Sequence, residues 1–263
     1  TVIPRGPDAI TEAKLDPADI DEAVSRLKPV VEEAYRFGGE QVMRELQAQA
    51  RDAGVDVQLS HSKIRERTIC LRWLDLLELR DQPLDEIDVD SLLTARLKIL
   101  VGRMAQKTQE AAWQLAATTW RTMGSDGLTP EEMGTIKGAL VQAVEQDAQF
   151  ISAVSISEAM SLGRDAEAQR LISDIQFCEL SAILDTNVCK NCMAADEYQM
   201  QVGSKDYYAM MPPLSGGPFG ACQGRGKCRC QYVYVLRADR NPQRLTQTND
   251  AIELAAGGRQ GGR

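Results

Sequence analysis

The chain has 263 residues, of which 26% are charged and 43% hydrophobic, a composition typical of a globular protein with a substantial core. Its formal net charge of −8 argues against general nucleic-acid binding. No run approaches the ~20 apolar residues of a membrane span, and the N-terminus lacks the charged and apolar regions of a secretory signal. We therefore expect no membrane partner.

The charge is unevenly distributed along the chain. Residues 220–263 hold eight Lys and Arg against three Asp and Glu, a net +5, which leaves −13 for the remainder of the −8 total. An acidic body with a basic end predicts that any contact with DNA is made through the C-terminal segment alone. The alternative is a solvated tail, which residues 237–263, polar and rich in Gly, would also fit.

Four helical stretches follow an N-terminal arm at residues 1–15. Asp16 and Pro17 suit a helix start, and an apolar period continues to about residue 53, with a kink or restart expected at Pro29 and a weak point at Gly38–Gly39. Residues 63–80 read as a second helix, anchored by Trp73 and carrying Cys70 as a buried free thiol. The lone histidine, at position 61, is assigned no role.

The third helix is the longest periodic run, residues 91–123, which would span on the order of 50 Å. A capping box at Thr129–Glu132 opens the fourth helix, which we expect to break near Gln149 and then to continue toward Ile172. Its first half is predicted to face inward through Met133, Ile136, Leu140 and Val144.

Near Asp174 the hydrophobic period changes from about 3.6 to 2. Residues 177–185 alternate, with Cys178, Leu180, Ala182 and Leu184 on one face, and residues 231–236 are aromatic and β-branched. We expect these two strands to pair antiparallel. The predicted fold is mainly α: a helical domain at 16–174, then a small zinc-stabilised α+β domain with a short antiparallel sheet at 175–236, and a flexible basic tail at 237–263.

Five of the seven cysteines lie between positions 189 and 230, spaced as CxxC and CxC. A CxxC turn places two thiolates on one small loop, as tetrahedral zinc requires, and thiolates from distant sequence complete the shell. The candidate ligands are Cys189, Cys192, Cys222, Cys228 and Cys230. Cys189, Cys192 and Cys228 are the firmest, with Cys230 or Cys222 as the fourth. Reduced buried cysteines or disulfides are the alternative.

An ordered series of motifs accompanies these cysteines: Glu179–Asp185, the CxxC, Ala195–Asp196, Pro212–Pro213 and Lys227–Cys230. The series resembles the C-terminal domain of phage head morphogenesis proteins, the minor capsid family typified by the F protein of phage Mu. In that family an acidic residue and a Gly-Arg often precede the strand, and Glu158 and Gly163–Arg164 stand there. The resemblance covers about a third of the chain, from roughly Ser152 to Leu236.

The chain departs from the family pattern in three ways. Ala195 and Glu197 replace the Leu and Gly that flank the Asp, and the loop before Lys227 is longer. Arg225 stands where the family has a histidine, so Cys222 is a candidate for the missing ligand.

The resemblance implies a structural virion component. Such a protein associates with the portal and with capsid or scaffold subunits in several copies per head, assists head assembly, DNA packaging or DNA delivery, and resides in the capsid interior after assembly in the host cytoplasm. We expect no enzymatic activity, because the helices carry no nucleophile–base or paired-carboxylate arrangement. The alternatives are a zinc-stabilised DNA-binding protein and the inactive carrier part of a phage-borne toxin or transferase.

Overall fold

The computed structural model describes residues 17–56, 58–77, 79–84, 86–123, 129–182, 188–212 and 230–237. These residues are mainly helical, as predicted, and include a small antiparallel sheet. The elements in chain order are α1 (Pro17–Asp52), α2 (Glu66–Leu76), α3 (Val89–Met123), α4 (Pro130–Arg170), β1 (Ile175–Ser181), α5 (Lys190–Ala194), β2 (Gln199–Met200), α6 (Lys205–Ala209) and β3 (Gln231–Leu236).

The first helix runs without interruption through both of its predicted weak points. Pro29 lies inside α1, where a restart or kink was expected, and the residues on either side, Val24 and Val31, are both buried. Gly38 is buried as well, because α4 crosses α1 there: a Cβ at position 38 would lie 2.2 Å from the Met160 carbonyl oxygen. The glycine is therefore a contact point between helices.

The third and fourth helices run antiparallel and in step. Arg96 of α3 pairs with Glu158 of α4 at 2.7 Å, and Lys107 of α3 pairs with Asp147 of α4, also at 2.7 Å. The second pair lies eleven residues later in α3 and eleven residues earlier in α4, as antiparallel helices require. The expected break near Gln149 is absent because Ile151 and neighbouring side chains pack against α3 and keep the helix continuous. Val144, expected to face inward, is 38% exposed. The side chains of Met133, Ile136 and Leu140, predicted to face inward with it, lie outside the described part of the chain.

The sheet has the strand order β2-β1-β3, with both pairings antiparallel. In β1 the predicted alternation holds: Cys178 and Leu180 are buried, whereas Glu179 and Ser181 are only partly so. Leu184 and the end of the predicted strand lie outside the described residues. The two-residue strand β2 has no counterpart in the sequence interpretation, because a period of two cannot be recognised in so short a segment.

One hydrophobic core crosses the predicted domain boundary near Asp174. It joins residues of α1, α2, α3 and α4 to residues of all three strands and of α6. Polar contacts cross it too: Gln49 of α1 donates to the Tyr234 carbonyl at 2.7 Å and accepts from the Leu236 N–H at 2.9 Å. Within the described residues the helical region and the Cys-rich region are therefore packed together. Their division into two domains stays a prediction. No helix described here is both long enough and apolar enough to span a bilayer.

Candidate metal centre

The CxxC motif forms the start of a short helix. Cys189 is the N-cap of α5, and its Sγ accepts a hydrogen bond from the Cys192 N–H at 3.3 Å. The motif therefore closes into one compact turn with both sulfur-bearing side chains on it, and Cys192 is 7% exposed. This is the local geometry that a pair of thiolate ligands requires.

Strand pairing brings a third cysteine to the same place. Cys230 immediately precedes β3, whose first residue, Gln231, pairs with Ser181 at the end of β1. One small cluster follows, in which Cys192 and Ala182 are buried and Cys189, Cys230 and Val188 pack against them. Three predicted ligands from the two ends of a 42-residue segment thus converge at one end of the sheet.

The other two predicted ligands, Cys222 and Cys228, lie outside the described residues. Among the residues that the structure does describe, no group of three or more Cys, His, Asp or Glu is arranged to hold a metal ion. Cys189, Cys192 and Cys230 nevertheless pack in one cluster, and thiolate sulfur is a ligand type that suits zinc. Zinc at this site stays a prediction.

The two remaining cysteines are separate from this cluster. Cys70 of α2 and Cys178 of β1 are both fully buried, free thiols, as predicted for Cys70. Burial raises the pKa of the Cys70 thiol to about 12, and it raises the pKa of Cys178 still more strongly. Because a metal binds the thiolate, both side chains are unsuited to the ligand set.

The turn after α5 is fastened to the sheet by an aspartate. Asp196 accepts a hydrogen bond from the Ala182 N–H at 2.7 Å, and the next residue donates from its own N–H to the Leu180 carbonyl at 2.8 Å. That residue, Glu197, has a φ of 62°, in the left-handed region that favours glycine. It stands where the family pattern has Gly.

A buried arginine attaches α4 to the sheet. Arg164 bonds both carboxylate oxygens of Glu45 at 2.8 and 2.9 Å, donates to the Tyr232 carbonyl oxygen and lies 5.4 Å from the centre of the Tyr234 ring. Burial acts to lower the pKa of Arg164, but hydrogen bonding to Glu45 and the charge of Glu45 act to raise it, and the net shift is upward. The cation therefore has a carboxylate, a carbonyl and an aromatic face as partners.

Beside it lies a buried carboxylate that the sequence interpretation missed. Asp165 is fully buried and accepts hydrogen bonds from Trp73 Nε1 at 2.6 Å, Tyr207 OH at 2.9 Å and Gln169 Nε2 at 3.2 Å. Burial raises the pKa of Asp165, while these donors oppose the rise. No local pattern distinguishes it, because Arg164, Glu167 and Gln169 are neighbouring polar residues in the same helix. Its inaccessibility gives it a structural role: it joins α2, α4 and α6.

A surface groove of about 280 Å³ lies where α1 crosses α4. Glu167 lines this groove and contacts His61 at 2.8 Å and Arg170 at 3.3 Å. His61, to which the sequence analysis assigned no role, therefore has a carboxylate partner. The described lining residues include no nucleophile with an adjacent base.

Comparisons of the chain with protein-family models, with curated proteins and with solved structures gave no match.

Proposed function

We propose that this chain is a minor capsid or head morphogenesis protein of a tailed phage. In this role it associates with the portal and with the capsid interior and assists head assembly, DNA packaging or DNA delivery. A structural zinc ion, held by four of the five cysteines between positions 189 and 230, stabilises its sheet region.

The observation that carries the proposal is that residues in or beside the motifs of the resemblance bond to distant parts of the same segment. Arg164 donates to the Tyr232 carbonyl, Ser161 of the same helix donates to the Pro212 carbonyl at 2.5 Å, and Asp196 holds the end of β1. Residues between positions 161 and 232 thus link α4, the sheet and the segments between its strands.

The helical region supports the docking part of the proposal. The longest helix, α4, has 41 residues and a length of about 60 Å, which is enough to bridge neighbouring subunits. Helices with exposed apolar side chains are common protein-binding surfaces. We place the portal and capsid contacts on α1 to α4 and the DNA contact on the basic residues after β3.

The test is incorporation of the tagged protein into procapsids assembled with and without portal. We expect several copies to co-purify with procapsids that contain portal and few or none with procapsids that lack it. Absence from both preparations would contradict the proposal, whereas equal incorporation into both would place the docking site on the capsid shell.

The DNA contact is tested separately by replacing Arg237, Arg240 and Arg244 with Gln. We expect the variant to lose salt-sensitive binding to duplex DNA, because phosphate contacts weaken steeply with rising salt. Its zinc ligands and helices are unchanged, so incorporation into heads is the internal control. DNA binding that is equally strong in variant and wild type would exclude the basic end as the contact.

A further inference from the structure

Half of the α3–α4 pair extends beyond the core of the protein. Beyond Met104 of α3 and before Ile151 of α4, none of the side chains that the structure describes is buried. We call residues 105–123 and 130–150 the distal helix pair. In proteins most of the stability of a helix comes from tertiary packing, so the exposed side chains of this helix pair are candidates for association with another surface.

One face of α4 in the distal helix pair carries exposed valines beside two glycines. Val141 is 49% exposed and Val144 is 38% exposed, one turn apart. Gly134 and Gly138 lie on the same side as Val141, within an arc of about 60° at 100° per residue, and a Cβ added to either glycine would meet nothing within 4 Å. Each glycine costs a helix about 1 kcal/mol relative to alanine, and no contact within the described residues compensates for it.

The charges on this face are arranged so that two copies of it would be complementary to each other. Lys137 lies four residues before Val141 and Glu145 lies four residues after it, and both are exposed. If two copies of α4 pair antiparallel about a twofold axis at Val141, residues equally far from Val141 on opposite sides meet. Lys137 of each copy then lies opposite Glu145 of the other, and Gly138 lies opposite Val144.

We propose that a second copy of this chain covers this face, through a twofold antiparallel contact between the two α4 helices centred on Val141. The two Val141 side chains meet on the axis, each Val144 fits the space above the other copy's Gly138, and two Lys137–Glu145 ion pairs flank them. A twofold contact makes each interaction twice, as is usual in homodimers. This inference is independent of the proposed phage function.

The first test is sedimentation equilibrium over a range of protein concentrations. We expect a monomer–dimer equilibrium in the wild type and a dissociation constant raised roughly tenfold or more by Val141→Glu, because a charge then replaces the central apolar contact. The matched control is Val30→Glu on α1, since Val30 is 48% exposed but lies far from the contact in sequence. Circular dichroism verifies that both variants keep their helix content.

The second test exchanges the two charges, because only the antiparallel register predicts that the double variant recovers what each single variant loses. Lys137→Glu and Glu145→Lys should each weaken the dimer, because each creates a like-charge pair twice across the axis. The double variant should restore the wild-type dissociation constant. A wild type that stays monomeric at all concentrations, a dimer that Val141→Glu leaves intact, or a double variant as weak as the single ones would overturn the proposal.

Discussion

Gly163 of α4 packs directly on the backbone of Tyr35 in α1: a Cβ atom at position 163 would lie 1.9 Å from the Tyr35 carbonyl oxygen. On the opposite helix, Gly38 faces the Met160 carbonyl in the same way, at 2.2 Å. Two glycines, one on each helix, therefore permit the close crossing of α1 and α4. The crossing holds Arg164, the neighbour of Gly163, where it reaches both Glu45 and the sheet.

We predict that Gly163→Ala destabilises the protein by about 3 kcal/mol, the upper end of the usual cost of overpacking, because rigid backbone blocks the added methyl group. The matched control is Gly102→Ala in α3, where a Cβ meets nothing within 4 Å. That change should stabilise the protein by about 0.5–1 kcal/mol through helix propensity. Urea unfolding measures both, and equal stability of the two variants would contradict the crossing.

The pair Arg164–Glu45, whose side chains are 5% and 28% exposed, should contribute more to stability than a fully exposed pair. Replacing Glu45 by Gln should cost about 3 kcal/mol, the low end for breaking a buried pair, because it removes the carboxylate partner of a buried cation. The control is Glu40→Gln, since Glu40 pairs with Arg44 at 2.8 Å but both side chains are at least 60% exposed. That change should cost at most about 1 kcal/mol. Comparable losses in the two variants would mean that the buried pair is solvated.

Asp165 predicts a specific dependence of stability on pH. Because its pKa is raised by burial above the ordinary 3.8, the folded chain binds this proton more tightly than the unfolded chain. Stability supplied by the protonated carboxyl is full below the unfolded pKa and is lost as pH rises through the folded pKa. The difference in unfolding free energy between wild type and Asp165→Asn should therefore fall as pH rises from below 3.8.

Asp88 provides a control of opposite sign for that experiment. Its carboxylate accepts a hydrogen bond from the Ser91 N–H at 2.8 Å, and this bond lowers its pKa. Stability from Asp88 is thus present above the unfolded pKa and lost as pH falls through the folded pKa, so the difference between wild type and Asp88→Asn should rise with pH. If both differences changed with pH in the same direction, the assignment of Asp165 would be wrong.

Removal of zinc should weaken the whole protein in one transition. We expect about one zinc ion per chain by elemental analysis, with Cys189→Ser losing the metal and Cys70→Ser retaining it. Because the strands share their core with α1 and α4, loss of the metal should shift unfolding followed by tryptophan fluorescence and by circular dichroism together. A chain without stoichiometric zinc that also fails to take it up would disprove the metal site.

The sequence by itself determined the elements whose signals are local. Pro17 and Pro130 begin helices as their capping patterns predict, and the alternation around Cys178 identifies β1 and its buried face. The CxxC spacing likewise predicted the compact turn at Cys189. Each of these signals depends on residues a few positions apart, so no knowledge of distant contacts is needed to interpret it.

Only the tertiary structure decided what distant residues do to one another. Gly38 was interpreted as a weak point because glycine lowers helix propensity, yet it is where a second helix approaches. Asp165 became a buried acceptor because α2 and α6 each bring a donor to it. Apart from proline, helix propensity differs by at most about 1 kcal/mol per residue. Burying one large apolar side chain contributes about 1.5–3 kcal/mol, so long-range contacts can override local preference.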